Sequence, residues 1–273
     1  MTKVGFIGLG TQGAPIARRI VDGGFPLAIW ARRPESLEPF ADSAAVAVGS
    51  PAEVGAASDV VGICVWSDDD VEDVLLRADG VVAGMREGGI VAIHSTVHPD
   101  TVTRLAGRVA EHGITLLDAP VSGGADVAAA GQMLVLVGGE EAALARCSPV
   151  FETYATSIVH LGGVGAAQTA KVINNLMLAA HMAIAMEGFQ LSADLGVDLA
   201  GMAQVLATGT GASRAAGIVA QSGFAYEHLK MSSAKYFLKD LALIAGLADE
   251  RGVTRPAQIL SVAEHAFTSP DAP

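Results

Sequence analysis

The stretch Val4–Ile20, VGFIGLGTQGAPIARRI, constrains the fold of this chain more than any other. Gly8, Leu9, Gly10, Thr11, Gln12 and Gly13 match G-x-G-x-x-G, an apolar β-branched run (Val4–Ile7) precedes them, and a helix-forming stretch opens at Ala14. The six-residue pattern alone is weak evidence; between a strand and a helix it is specific for a dinucleotide. In that setting Gly8 permits the tight turn and Gly10 lets backbone approach a pyrophosphate. Gly13 lets helix and strand pack closely, and the helix N-terminus faces the negative charge. The plain alternative is a glycine-rich turn that holds nothing.

Such a turn implies a parallel sheet behind it. Short apolar runs recur at Val4–Ile7, Leu27–Trp30, Val60–Val65, Ile90–Ile93, Ile114–Leu117 and Met133–Val137. Helix-like stretches separate them at Ala14–Asp22, Glu35–Ala41, Asp70–Leu76, Thr101–His112 and Glu140–Phe151. Continuous apolar strands that alternate with helices are buried on both faces of a mostly parallel sheet. The expected fold class is α/β: a doubly wound Rossmann-type domain over residues 1–162, followed by an all-α domain over 163–273. The second domain is entered through a long helix, Gln168 to about Leu195, with further helices at Asp198–Ala207, Ser213–Ala220, Ser233–Arg251 and Pro256–Ala266. The closing TSPDAP reads as a frayed tail.

Composition excludes several classes of function. The 29 Asp and Glu outnumber 17 Lys and Arg, for a net charge of −12, which argues against nucleic acid or an anionic membrane as partner. Cys64 and Cys147 form no CxxC, so a disulfide framework is not expected, as suits a reducing compartment. LMLAAHMAIAM carries His181 and stops at Glu187, which favours a buried helix over a membrane span. A soluble cytoplasmic protein is expected. A long helix that is apolar on most sides needs a cover, so a homodimer or homotetramer is expected too.

Further candidates lie at strand ends. An acid after the second strand would receive the ribose 2′-hydroxyl of NAD. Arg32 and Arg33 stand there instead, and guanidinium forks onto a 2′-phosphate, so NADP(H) is the expected cofactor and NAD a possible one. Solvated loop arginines are the plain alternative. Asp68, Asp69 and Asp70 after Trp66 read as a helix start rather than a metal site. Neither HExxH nor G-x-S-x-G occurs, and no metal is expected. In DAPVSGG, Ser122, Gly123 and Gly124 can offer a hydroxyl and backbone N–H groups to a carboxylate; an ordinary turn is the alternative. On the long helix, Gln168, Lys171 and Asn175 share one face, while Val172, Ile173, Leu176 and Met177 are expected to point into the core. A solvated helix start is the plain reading of that polar face.

These motifs together resemble the β-hydroxyacid dehydrogenase family, whose members include 3-hydroxyisobutyrate dehydrogenase and glyoxylate and semialdehyde reductases. The N-terminal stretch resembles its cofactor motif, DAPVSGGADVAAAGQMLVLVGG its substrate motif and GGVGAAQTAKVINN its catalytic motif. KDLALI (Lys239–Ile244) resembles its late cofactor-contacting motif. The resemblance implies hydride transfer between NADP(H) and a short carboxylate-bearing β-hydroxy acid or its aldehyde or keto form. It implies Lys171 as acid/base, with Asn175 orienting the substrate. Ser122, Gly123 and Gly124 would hold the substrate carboxylate. Val65, Trp66, Thr96 and Lys239 would line the cofactor. The helical domain would be like that of 6-phosphogluconate dehydrogenase. The sequence departs from the family pattern at Gln12, Trp66, Val127 and Ala167, where methionine, proline and two glycines are usual. An imine reductase shares the architecture but usually lacks the lysine. A non-catalytic NADP-binding scaffold or sensor would have no need of Lys171, Asn175 and Lys239 together.

Overall fold

The computed structural model describes residues 1–254 and 256–268; the end of the expected tail lies outside them. The chain divides into two compact units, Met1–Lys171 and Val172 onward.

The first unit is built on a six-stranded parallel sheet. Its strands are β1 (Val4–Ile7), β2 (Leu27–Trp30), β3 (Val46–Ala47), β4 (Val60–Ile63), β5 (Ile90–Ile93) and β6 (Thr115–Asp118), in the order β3-β2-β1-β4-β5-β6. The switch in strand order falls at β1, where a doubly wound sheet opens a crevice at its carboxyl edge. Alternate residues serve opposite cores. Val4, Phe6, Val60, Ile90, Ala92 and Leu117 face one cluster with α1 (Gly13–Asp22), α6 (Ala125–Ala129) and α7 (Glu141–Phe151). Ile7, Val61, Ile63, Val91, Ile93 and Leu116 face the other with α2 (Pro51–Ala56), α3 (Asp68–Leu76), α4 (Val81–Gly84) and α5 (Pro99–Ala110). Burial on both faces is what gives these strands uninterrupted apolar sequences.

Three details depart from expectation. Met133–Val137 does not join the main sheet; as β8 it pairs antiparallel with β7 (Val121–Ser122) and parallel with β9 (Ala155–His160). The helix expected at Glu35–Ala41 is a 3₁₀ segment, Pro34–Phe40, with Pro39 inside it. Two-residue β3, not expected from the sequence, lies at the sheet edge with both residues exposed.

The second unit is helical. α8 (Ala166–Asp194) runs into it, and α9 (Leu199–Thr208), α10 (Arg214–Gln221), α11 (Tyr226–Glu250) and α12 (Ala257–Thr268) follow. α11 begins before the expected Ser233. Its core gathers Val172, Leu176, Met182, Met186 and Phe189 of α8 with Val219, Phe237, Leu241, Ile244, Leu260 and Phe267. α8 is long and apolar enough to cross a membrane by length and composition, but half of its most apolar window is buried inside the molecule. Ile173 and Met177 do not enter the core as expected: they are exposed, along with Ile184, Leu191 and Leu195.

Candidate active site

The glycine turn has the geometry its spacing predicts. Gly8 has φ +97°, and a β-carbon there would lie 2.1 Å from the Cys64 carbonyl oxygen. A β-carbon on Gly13 would lie 1.9 Å from the Gly8 carbonyl oxygen, so any side chain there would force α1 away from the turn. Gly10 is the opposite case: it is exposed, and a β-carbon would meet nothing within 4 Å. Backbone at Gly10 is therefore open to a group as large as a pyrophosphate. Leu9 is buried beneath the turn, Thr11 is exposed, and Gln12 stands at the N-cap of α1 without a side-chain capping bond. The Gln12 departure is thus tolerable, because backbone forms this cradle. The residues present fit a dinucleotide.

The neighbouring strand ends flank the turn. Trp30 and Ile63 are both in register with Ile7. Arg32 and Arg33 follow β2 and are exposed; Val65 and Trp66 follow β4, with Trp66 half exposed. The Val65 N–H donates to Ser95 Oγ at 2.8 Å, joining the segments after β4 and β5, and Thr96 is the next residue on the second of these. Ser67 caps α3, so the three aspartates do form a helix start. Two of them have further work. The Asp68 carboxylate accepts from the His98 N–H at 2.9 Å, and Asp70 accepts from Arg32 Nη2 at 2.6 Å.

Ser122, on β7, is half-buried, and Gly123 and Gly124 are exposed. Their φ values of +146° and +82° require glycine, and Gly124 stands at the N-cap of α6.

The first turn of α8 is placed by contacts with residues far away in sequence, which no motif announces. Asp118 closes β6 with no exposed surface. Its Oδ1 accepts the Gly165 N–H and its Oδ2 the Gln168 N–H, each at 2.9 Å. Burial pushes this carboxyl above its ordinary pKa, and the N–H bonds oppose that shift. Gln168, expected on an open polar face, is fully buried; its amide donates to the Ser95 carbonyl at 2.8 Å and accepts from the Val97 N–H at 3.1 Å. The helix start is thereby fastened to the carboxyl ends of β5 and β6. Lys171, one turn further along, is 7% exposed, so the solvated-lysine reading fails. A buried ammonium is costly unless it meets polar groups. Asn175, a turn beyond Lys171, donates Nδ2 to Asp240 Oδ2 at 2.5 Å and accepts from Asn174 Nδ2 at 3.1 Å. Lys239, half-buried on α11, immediately precedes Asp240.

His94 belongs to the core. It lies against Phe6, Phe151 and Tyr154, Nδ1 meets the Ala119 carbonyl oxygen at 2.7 Å, and burial lowers its pKa to about 4. Cys64 and Cys147 are free thiols that burial pushes up to about 12.

A doubly wound sheet with an open glycine cradle at its switch point, followed by a helical unit, defines a Rossmann-type dinucleotide-binding protein. Sequence comparison extends this to the whole chain. Residues 3–162 match the family described as the NAD binding domain of 6-phosphogluconate dehydrogenase, and residues 165–272 that described as the NAD-binding of NADP-dependent 3-hydroxyisobutyrate dehydrogenase. L-threonate dehydrogenase of Cupriavidus necator is 34% identical over 264 residues, which cover 96% of this chain and 88% of the relative. The solved structure of Mycobacterium tuberculosis 3-hydroxyisobutyrate dehydrogenase with L-serine has a TM-score of 0.83 at 29% identity, covering 98% of this chain and 91% of the other. That of Psf3 in complex with NADP+ and 2-OPP has a TM-score of 0.82 at 27% identity, covering 97% and 92%. The chain belongs to the β-hydroxyacid dehydrogenase family, and is a 3-hydroxyisobutyrate dehydrogenase-like oxidoreductase acting on CH–OH with a nicotinamide cofactor.

Proposed function

We propose that this chain interconverts a short β-hydroxy acid and its aldehyde or keto acid with preference for NADP(H), and that Lys171 is the acid/base. The observation that carries the reading is a lysine held away from water one turn after a helix start anchored by Asp118 and Gln168. Bound nicotinamide supplies or accepts the hydride at the hydroxyl-bearing carbon. Lys171 takes the hydroxyl proton in oxidation. In reduction its ammonium stabilises charge growing on the carbonyl oxygen and returns the proton. Asn175, with one amide N–H committed to Asp240, keeps a second N–H to orient the substrate. The Ser122 hydroxyl and the backbone N–H groups of Gly123 and Gly124 hold the carboxylate. Gly8, Leu9, Gly10, Thr11, Gln12 and Gly13 would hold the dinucleotide, Val65, Trp66, Thr96 and Lys239 would line it, and Arg32 and Arg33 would receive the 2′-phosphate. Residues 1–162 act as the cofactor-binding domain and 163–273 as the substrate and dimerisation domain.

The relatives favour this chemistry. L-threonate and L-serine each carry a carboxylate with a hydroxyl on the β-carbon, and the Psf3 structure contains NADP+. We further propose a cytoplasmic homodimer or homotetramer that covers the exposed Ile184, Leu191 and Leu195 of α8. The test is absorbance at 340 nm with NADPH and NADH against a panel of short aldehyde and keto acids, with a cyclic imine as the control for an imine reductase. Turnover of an aldehyde or keto acid is expected; turnover of the imine alone, or of nothing, would overturn the proposal.

A further inference from the structure

Arg32 and Asp70 come from opposite flanks of the glycine turn. Arg32 lies two residues beyond the end of β2, Asp70 lies in the first turn of the helix after β4, and both strands pair with β1. Their 2.6 Å bond therefore spans the carboxyl edge of the strand that feeds the cradle. The two partners are not equally free. Asp70 Oδ2 accepts from the Ser67 hydroxyl at 2.9 Å, and the Asp70 N–H donates to Ser67 Oγ at 3.1 Å. This fixes the carboxylate on its helix with a side-chain exposure of 23%, against 63% for Arg32. The aspartate is the anchor and the guanidinium the adjustable arm. Asp73 adds further negative charge within reach of Arg32. Among the described residues Arg33 has a 3.9 Å contact with Glu35, a looser hold than that on Arg32.

We infer that Asp70 is a specificity-determining residue: it competes with the adenosine 2′-phosphate for Arg32 and so narrows the preference for NADPH over NADH. The inference rests on the proposal that Arg32 receives that phosphate. A phosphate sharing this guanidinium brings nearly two negative charges up to a carboxylate that Ser67 keeps from retreating. Either the Arg32–Asp70 bond loosens or the two anions sit side by side; both weaken NADPH binding. NADH presents a hydroxyl there, so the competition does not reach it. Asp70 is a tuning residue, removed from the atoms that exchange hydride.

The test is cofactor binding by the full-length protein, followed by fluorescence with NADPH and with NADH, in wild type, Asp70→Asn, Arg32→Ala and the double variant. Asp70→Asn keeps the size of the side chain and an oxygen for Ser67; Asp70→Ser is the second variant should the first lower the thermal midpoint. The expected result is NADPH binding tighter by about three- to fivefold, the size of a partly exposed ion pair, with NADH changed by less than about twofold. The gain should vanish in the Arg32→Ala background. If Arg32→Ala weakens NADPH but Asp70→Asn does not tighten it, or tightens it equally without Arg32, the inference on Asp70 fails and the phosphate site stands. If Arg32→Ala leaves NADPH binding unchanged, the phosphate site itself fails and takes the inference with it.

Discussion

Asp118 is the residue whose replacement best separates anchoring from chemistry. Its carboxylate accepts two buried N–H groups at the start of α8, and has no exposed surface of its own. Asp118→Ala leaves both donors unpaired, at about 1–3 kcal/mol each. Removing the buried charge recovers part of that, so a net loss of roughly 2–4 kcal/mol is expected. At this chain length that corresponds to a fall of roughly 5–12 °C in the thermal midpoint of the transition that reports on the first unit. Asp118→Asn should cost less, because its carbonyl oxygen still accepts one N–H while its NH₂ faces the other. Lys171 is three residues past Gln168, so loosening this turn should also lower kcat, by about ten- to a hundredfold for a displacement near 1 Å. A second perturbation reaches the same link without replacing the carboxylate: a β-carbon at Gly138 would press on Asp118 Oδ1, so Gly138→Ala should mimic the defect. The assays are thermal unfolding followed by circular dichroism, and steady-state kinetics with saturating cofactor. Asp118→Ala within about 0.5 kcal/mol of wild type and with unchanged kcat would refute the anchoring argument, since changes that small belong to surface substitutions.

Other outcomes follow from the same geometry. Lys171→Ala should lose at least about a hundredfold in kcat while still binding NADPH, the usual size of an acid/base contribution; near-full activity would remove the assignment. His94 titrates at about 4 in the folded chain against 6.5 for an ordinary histidine. Above 6.5 neither state carries its proton; between 6.5 and about 4 only the unfolded chain takes it up, so stability must fall with pH through that window, by roughly 3 kcal/mol in all, and level off below it. Urea unfolding at pH 7, 5.5 and 4.5 checks this, and a His94→Gln variant with the wild-type pH slope would contradict it. Light scattering at micromolar concentration should report a dimer or tetramer, and Ile184→Glu with Leu191→Glu should dissociate it; a wild-type monomer would defeat the assembly proposal.

What the sequence revealed and what it hid have physical causes. Strands such as Val60–Ile63 and Ile90–Ile93 are legible because both faces are buried and every position is apolar. The glycine turn is legible because only glycine tolerates its geometry: side chains at Gly8 and Gly13 would run into backbone within about 2 Å. By contrast Val46–Ala47 is short and exposed, and Met133–Val137 has the composition of a central strand while pairing elsewhere, because apolarity records burial and not partnership. Ile173 and Met177 show the converse limit, since on an apolar helix nothing in the sequence distinguishes a core-facing residue from one left exposed. The polar and charged groups are the hardest to read. Lys171, Gln168, Asp70 and Asp118 are all visible as polar residues near motif ends, yet their roles depend on partners far away in sequence: Gln168 bonds to Val97 and Ser95, Asp70 to Arg32, and Asp118 to the start of α8. Residue type marks where polar chemistry gathers at the carboxyl edge of the sheet. Which of those groups can move a proton and which merely hold another in place is decided by burial and bonding, and that decision is what makes Asp118→Ala and Lys171→Ala different experiments.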